Sequence, residues 1–175
     1  TMHYLIVIDM QNDFIDGSLK NDMAKAIVPK MAERLKKAVA DGDPIIFTRD
    51  SHDICTYCDS KEGKALPLHC IRYTHGFNIN SELLEAAWEN TKNPVQFIDK
   101  LTYGYPYWYD YLKPNDSVEI MGTCTEICVD ANVNAIASIF PNMDITVNSK
   151  LCAGLTKEGH EAALKTMKAK LINVI

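Results

Sequence analysis

The feature that most constrains the fold is an alternation of short apolar runs, rich in β-branched residues, with longer segments of helical periodicity. The strand-like runs are residues 4–8, 44–48, 94–98, 117–121, 144–147 and 171–175. The helical patterns between them are residues 27–40, 81–88, 125–140 and 156–171. Because this order is typical of parallel strands joined by crossover helices, it predicts one α/β domain over residues 1–175. We expect a six-stranded, mostly parallel sheet with helices on both of its faces.

Two segments differ from this simple pattern. Apolar residues cover most of the circumference of segment 125–140, which predicts a helix buried on nearly all sides and ended by Pro141. Segment 51–80 has no clear periodicity, and loops of that length in compact domains are usually functional or disordered.

Composition and charge favour a small-molecule partner. Lys and Arg number 18 and Asp and Glu number 23, so the net charge of −5 offers no footprint for nucleic acid or an anionic membrane. No apolar run approaches the roughly 20 residues needed to span a bilayer. Six cysteines in a chain of 175 residues indicate free thiols in a reducing compartment, and we expect a cytoplasmic protein.

Reactive side chains follow four of the predicted strands. They are Asp9, Asp50, Lys100 and the pair Cys124 and Cys128. Ligands of open parallel sheets bind outside the carboxyl ends of the strands, so we expect these residues to meet at one edge.

A catalytic thiol is one interpretation of this set. The pKa of a thiol is lowered by a nearby cation or a helix N-terminus, which Lys100 and the helix after Cys124 would supply. Asp9 could accept the thiol proton and return it to a leaving amine, giving a triad of Asp9, Lys100 and Cys128. The alternative is that Cys128 is an ordinary core cysteine, since free cysteine is often buried.

A metal site is the second candidate. Asp50 and His52 lie two residues apart at a strand exit and His69 lies further along the loop, which suits a three-ligand site with open positions. Spacing alone leaves open that both are ordinary loop histidines. A rival arrangement is a structural zinc site of Cys55, Cys58, His69 and Cys70.

Three ordered motifs carry a resemblance to a known family. Residues 8–14 read IDMQNDF and resemble a first-strand DxQxxF signature. Lys100 matches a lysine after the third strand, and residues 122–129 (GTCTEICV) resemble the nucleophile motif G-x-x-T-[DE]-x-C-V. The chain thus resembles the isochorismatase-like cysteine hydrolases over nearly its whole length. Asp50, His52 and His69 match the DxH…H metal site of the nicotinamidase branch.

The resemblance implies a role for each matching residue. Cys128 would be the nucleophile, with a cis peptide bond between Thr123 and Cys124 and an oxyanion hole formed by the N–H groups of Cys124 and Cys128. Asp50, His52 and His69 would bind one divalent ion, zinc or else iron or manganese, and Glu62 is a candidate fourth ligand.

The resemblance also implies the reaction, which is metal-dependent hydrolysis of nicotinamide to nicotinate and ammonia by a homo-oligomeric enzyme. Phe14 and Tyr103 would pack against the substrate ring. Leu66 stands where the family often has Trp or Phe, which favours a different small amide or ureido substrate as the alternative. A non-catalytic binding protein on the same fold is the alternative from another class.

Overall fold

The computed structural model describes residues 1–88 and 92–175. Within them a six-stranded sheet has the order β3-β2-β1-β4-β5-β6, and every neighbouring pair of strands is parallel. The strands are β1 (His3–Ile8), β2 (Ile45–Asp50), β3 (Gln96–Lys100), β4 (Ser117–Thr123), β5 (Asp144–Ala153) and β6 (Asn173–Val174). The predicted α/β class and six-stranded sheet are therefore confirmed.

Helices cover both faces of the sheet. They are the short α1 (Asn12–Ile15), α2 (Asp22–Asp41), α3 (Ser81–Ala87), α4 (Asp130–Ile139) and α5 (Lys157–Ala169). Successive side chains of a strand point to opposite faces. Accordingly, Leu5 and Val7 of β1 pack with α2 and α3, whereas Ile6 and Ile8 pack with α4 and α5.

The bounds of several elements differ from the sequence prediction. Helix α2 starts at Asp22 rather than residue 27, because the side chain of Asn21 accepts hydrogen bonds from the N–H groups of Met23 and Ala24. Strand β5 continues to Ala153, past a polar stretch that ends the apolar pattern at residue 147. Strand β6 is reduced to two residues, since Leu171 has a left-handed backbone (φ 67°) and is 95% exposed.

The helix predicted over residues 125–140 forms in two parts. Thr125–Val129 is a single π-helical turn, and only from Asp130 does the chain become α-helical. The prediction of burial on nearly all sides was also wrong. Val133 and Ile136 are fully buried, whereas apolar residues on the other sides, such as Ile139, are only half-buried.

The strand order places a crevice beside β1. The chain runs outward from β1 to β2 and β3 and then returns to form β4 on the other side of β1. Ligands of doubly wound sheets bind at the carboxyl ends of the strands at this point of reversal. Gly122 of β4 has a φ of 128°, and a Cβ atom there would collide with the backbone of Ile8. No helix in the described part of the chain has the length and apolar character that a membrane span needs.

Candidate active site

The carboxyl ends of four strands bring charged and thiol side chains together at this crevice. Asp9 follows β1, Asp50 ends β2, Lys100 ends β3, and Cys128 lies in the π-helical turn after β4. All four residues are buried, with exposed fractions of 0%, 4%, 1% and 6% respectively. The expectation that these strand ends share one edge of the sheet is confirmed.

Asp9 and Lys100 form a buried ion pair. Lys100 Nζ donates to Asp9 Oδ2 at 2.9 Å, and the Thr48 hydroxyl donates to Asp9 Oδ1 at 2.7 Å. Burial lowers the pKa of Lys100, but the charges of Asp9 and the Cys128 sulfur outweigh it and raise the pKa above its ordinary value. Burial raises the pKa of Asp9, although Lys100 opposes this effect. A carboxylate with a raised pKa next to a fixed cation is suited to accepting a proton.

The Cys128 thiol lies against this pair, and its pKa differs in direction from the sequence prediction. Burial raises the pKa of Cys128 well above its ordinary value, the charge of Asp9 adds to the rise, and Lys100 only partly opposes it. The prediction of a lowered thiol pKa was wrong because it counted the cation without the burial of the sulfur or the neighbouring carboxylate. The thiol form is therefore favoured, and Asp9 is the adjacent group that can take its proton.

The backbone before Cys128 has the predicted special geometry. The peptide bond between Thr123 and Cys124 is cis. The carbonyl of Cys124 accepts hydrogen bonds from the N–H groups of Ile127 and Val129, which closes the π-helical turn around the thiol. Cys124 is half-buried, and burial raises the pKa of its thiol to about 11.

A second cluster of donors lies beside the first. One ligand atom from each of Asp50, His52, Glu62 and His69 lies within 4.8 Å of all the others. His69 Nε2 is 3.3 Å from both Asp50 Oδ2 and Glu62 Oε1. His52 Nε2 is 3.0 Å from Asp50 Oδ2 and 3.8 Å from Glu62 Oε2. The sequence-predicted trio and its candidate fourth member are thus brought together.

The chemistry of this donor set fits a bound cation. His69 Nδ1 is 3.0 Å from the carbonyl oxygen of Pro67, which can only accept, so Nδ1 carries a proton. In a neutral His69 ring, the lone pair of Nε2 therefore faces oxygens of two carboxylates, an arrangement that needs a positive charge between them. Burial lowers the pKa of His69, but its hydrogen bonds with Asp50 and Glu62 raise it to about 10. The same arrangement of oxygen and nitrogen donors suits a divalent metal ion.

Three residues that sequence reasoning left without a role hold this cluster in place. Gln11 Oε1 accepts from the N–H of Asp50 at 2.8 Å, and Gln11 Nε2 donates to the Asp50 carbonyl at 2.8 Å. The Tyr57 hydroxyl lies 3.0 Å from His69 Nδ1 and donates to the Pro67 carbonyl at 2.9 Å. Asp13 accepts from the N–H of Cys70 at 2.8 Å, which fixes the chain next to His69. Gln11 and Asp13 belong to the IDMQNDF stretch, so their position in that motif is the signal that could have found them.

One cavity of about 680 Å³ joins the two clusters. Asp50, Glu62, His69 and Cys128 line its reactive end. The predicted substrate contacts Phe14, Leu66 and Tyr103 and the predicted oxyanion-hole residue Cys124 also line the cavity. The rest of its lining combines apolar residues, among them Leu19, Met23 and Leu155, with charged residues, among them Lys20, Asp22 and Lys157. The Phe14 ring is 5.6 Å from the His69 ring, centroid to centroid, so an aromatic wall stands next to the donors.

Comparison with known proteins decides the family. The model of the isochorismatase domain matches residues 3–175. The chain belongs to the isochorismatase family.

Several characterised or solved proteins are similar to this family member over their full length. Nicotinamidase of Saccharomyces cerevisiae is 25% identical, with 99% of each chain covered. The crystal structure of pyrazinamidase/nicotinamidase from Streptococcus mutans is 28% identical, covers 99% of each chain and has a TM-score of 0.85. The crystal structure of pyrazinamidase of Pyrococcus horikoshii in complex with zinc is 25% identical, with a TM-score of 0.81 over 100% of this chain and 99% of that one.

The rival zinc site is not formed in this member of the isochorismatase family. Cys55 and Cys58 are exposed, whereas Cys70 is buried. Within residues 1–88 and 92–175, no group of three or more metal-binding side chains includes any of these cysteines. The reason is the direction of His69, whose Nε2 faces Asp50 and Glu62.

Proposed function

We propose that the protein is a metal-dependent cysteine amidohydrolase that converts nicotinamide and water to nicotinate and ammonia. The observation that carries this proposal is one cavity lined both by the Cys128 thiol and by Asp50, Glu62 and His69 of the metal-binding cluster. Behind the thiol lies the buried ion pair of Asp9 and Lys100. The similarity to nicotinamidases over the full chain supports the choice of substrate.

The acylation step uses the first cluster. Asp9 takes the proton of the Cys128 thiol, and the resulting thiolate attacks the carboxamide carbon. The N–H groups of Cys124 and Cys128 stabilise the oxyanion, a contribution often worth about 2.7–4 kcal/mol per donor. Asp9 then gives the proton to the amide nitrogen, the C–N bond breaks, and ammonia leaves a thioester on Cys128.

The deacylation step uses the same groups in reverse. Asp9 takes a proton from water, whose oxygen attacks the thioester carbon, and the C–S bond breaks to release the carboxylic acid. The proton on Asp9 returns to the Cys128 sulfur and restores the starting state. Lys100 stays protonated throughout and compensates the negative charge that moves between Asp9 and Cys128.

The second cluster binds and orients the substrate ring in this proposal. Asp50, His52 and His69, with Glu62 as the candidate fourth ligand, would hold one divalent ion, and zinc, iron or manganese suits such nitrogen and oxygen donors. When bound, the ion supplies a Lewis acid for the pyridine nitrogen. Phe14 packs on His69 and forms a wall for the ring on this side of the cavity.

The deciding experiment is release of ammonia from nicotinamide by the purified protein, before and after chelation and after adding back Zn²⁺, Mn²⁺ or Fe²⁺. We expect release that is lost on chelation and restored by at least one of these ions. Release that is indifferent to chelation would remove the metal from the proposal. If the metal-loaded protein releases no ammonia from nicotinamide, nicotinamide is not its substrate.

A more specific prediction concerns Tyr57, whose hydroxyl supports the candidate metal ligand His69. Tyr57→Phe removes the hydroxyl that contacts His69 Nδ1 and the Pro67 carbonyl but keeps the ring, which packs on both histidines. Loss of such a supporting contact typically lowers metal affinity by about 10–100-fold, and we expect a loss in that range. Titration of the apoprotein with Zn²⁺ measures it, and Tyr109→Phe, at an exposed tyrosine, is the matched control. Equal affinities in both variants would contradict this role.

The cavity favours a second candidate substrate class. Leu66 is 39% exposed and lines the cavity, which extends beyond the reactive end to Leu19 and Leu155. A cavity of about 680 Å³ falls in the range that holds ligands much larger than one ring and a carboxamide. Another small amide or ureido compound with an apolar substituent is therefore the alternative. A panel of carboxamides, compared by kcat/KM with nicotinamide, distinguishes the two.

Three further properties stay predictions. The small-molecule amide is the partner that the similarity to nicotinamidases supports. The homo-oligomeric state and the cytoplasmic location rest on the family resemblance and on composition.

A further inference from the structure

Asn132, in the first turn of α4, is a fully buried polar residue that the proposed mechanism does not use. Its side chain makes four hydrogen bonds. Asn132 Nδ2 donates to the carbonyl oxygens of Cys128 at 2.8 Å and Tyr103 at 3.1 Å. Its Oδ1 accepts from the N–H of Tyr105 at 2.8 Å and from Trp108 Nε1 at 3.1 Å. Two donors and two acceptor positions are the full capacity of an amide side chain, so Asn132 is saturated.

The four partners belong to two different parts of the site. Cys128 lies in the π-helical turn, one turn before Asn132 on the same helical segment. The other three belong to segment 101–108, which follows β3 and has no strand or α-helix of its own. Tyr103 of this segment lines the cavity, and Lys100 immediately precedes the segment. Asn132 therefore connects the turn that carries the thiol with the segment that contributes Tyr103 to the cavity.

The local bonding pattern explains why such a connection is useful. A π-helical turn bonds from residue i to i+5 and an α-helix from i to i+4, so the pattern changes just after Cys128. The Asn132 side chain gives the Cys128 carbonyl a donor at this change. Segment 101–108 is otherwise held to α4 by close packing, since a Cβ atom at Gly104 would lie 3.3 Å from the carbonyl oxygen of Ala131.

We propose that Asn132 is a positioning residue that sets the Cys128 thiol relative to Tyr103 and Lys100. This inference rests on the proposed function, because it assigns Asn132 an effect on turnover through Cys128. It predicts a loss in kcat larger than any change in KM, because none of the four hydrogen bonds of Asn132 reaches the metal-binding cluster. The bond to Tyr103 is to its backbone carbonyl and not to the ring that is proposed to pack on the substrate. Misplacing a reacting group by about 1 Å can lower the rate about 100-fold.

Two variants test the proposal. Asn132→Asp keeps the shape and the acceptors but loses both N–H donors. Asn132→Thr keeps a hydroxyl that can donate to the carbonyl four residues earlier but cannot reach segment 101–108. Asn134→Ala is the matched control, because Asn134 lies on the same helix and its side chain bonds to Asp130 and Lys170, away from the thiol.

The measurements separate positioning from simple stabilisation. We expect kcat for nicotinamide to fall about 100-fold in Asn132→Asp, at a temperature where circular dichroism shows it folded. Alkylation of the buried Cys128, measured by mass spectrometry against the exposed Cys55 and Cys58, should become faster as the turn loosens. If Asn132→Asp does not fold, Asn132→Thr decides by the same two measurements.

The contrary result is a lower melting temperature with wild-type kcat and an unchanged alkylation ratio in the folded variants. That result would assign Asn132 a structural role only and overturn the inference. If the wild-type protein releases no ammonia from nicotinamide, the proposed function fails by itself. The alkylation ratio then still decides the role of Asn132, because it needs no substrate.

Discussion

We expect replacement of Cys128 by alanine to lower the turnover of nicotinamide by at least about 10⁴-fold and to leave the metal content unchanged. The size of the loss follows from covalent catalysis, because enzymes that lose their nucleophile fall to the small residual rate given by binding and the oxyanion hole. Metal content is unaffected because the sulfur is not among the four clustered donors. Ammonia release and metal analysis of the same preparation check both parts.

The comparison that makes this test sharp is Cys124→Ala. Both cysteines line the cavity, but the role proposed for Cys124 uses its backbone N–H and not its thiol. We expect a much smaller loss in Cys124→Ala than in Cys128→Ala. Losses of similar size would show that the thiol of Cys124 takes part in the chemistry. Full turnover in Cys128→Ala would remove the proposed mechanism, whereas a wild-type protein that turns over no carboxamide would favour the non-catalytic alternative.

The parts of the site that could be predicted are those that follow a clear strand. Asp9, Asp50 and Lys100 each come at the end of an apolar run, and the parallel topology then brings them to one edge. Cys128 required the additional motif resemblance, since a buried cysteine alone indicates only a core position. Glu62 lies in a segment without periodicity, so only the resemblance, and no sequence pattern, could suggest its place beside His69.

The parts that could not be predicted depend on distances between residues far apart in sequence. Tyr57 reaches His69 and Asn132 reaches Trp108 only after the loops have folded onto the sheet. The direction of the Cys128 pKa was missed for the same reason. The sequence shows that a lysine is available, but it does not show how deeply the sulfur is buried, and burial is the largest cause of the raised pKa.

The second large effect is expected when Lys100 is replaced by methionine. The change leaves Asp9 buried without its cation, and breaking a buried ion pair from one side typically destabilises a protein by about 3–5 kcal/mol. Turnover should also be lost, because Lys100 compensates the charge shared by Asp9 and Cys128. Urea unfolding monitored by circular dichroism gives the free energy of unfolding. The control is Lys37→Met, which removes an exposed ion pair with Asp41 and should change the free energy of unfolding little.

The pH dependence of the stability of Lys100→Met tests whether the uncompensated charge of Asp9 causes the loss. Burial already raises the pKa of Asp9, and without Lys100 the opposing effect is gone, so the folded-state pKa lies further above that of the unfolded chain. The folded variant then binds a proton that the unfolded chain has released, and its stability falls as the pH rises from the unfolded pKa, about 3.9, through the folded pKa. We therefore expect the stability lost in Lys100→Met, relative to the wild type, to be smaller at mildly acidic pH than at pH 8.

The double variant Asp9→Asn/Lys100→Met separates stability from catalysis. Asparagine at residue 9 carries no charge and can still accept the hydrogen bond from the Thr48 hydroxyl. The double variant should therefore recover most of the lost stability and show no added pH dependence, because the ionisable group has been removed with its partner. It should stay inactive, since no group remains to take the Cys128 proton. A double variant as unstable and as pH-dependent as Lys100→Met would mean that Asp9 is not the source of either effect.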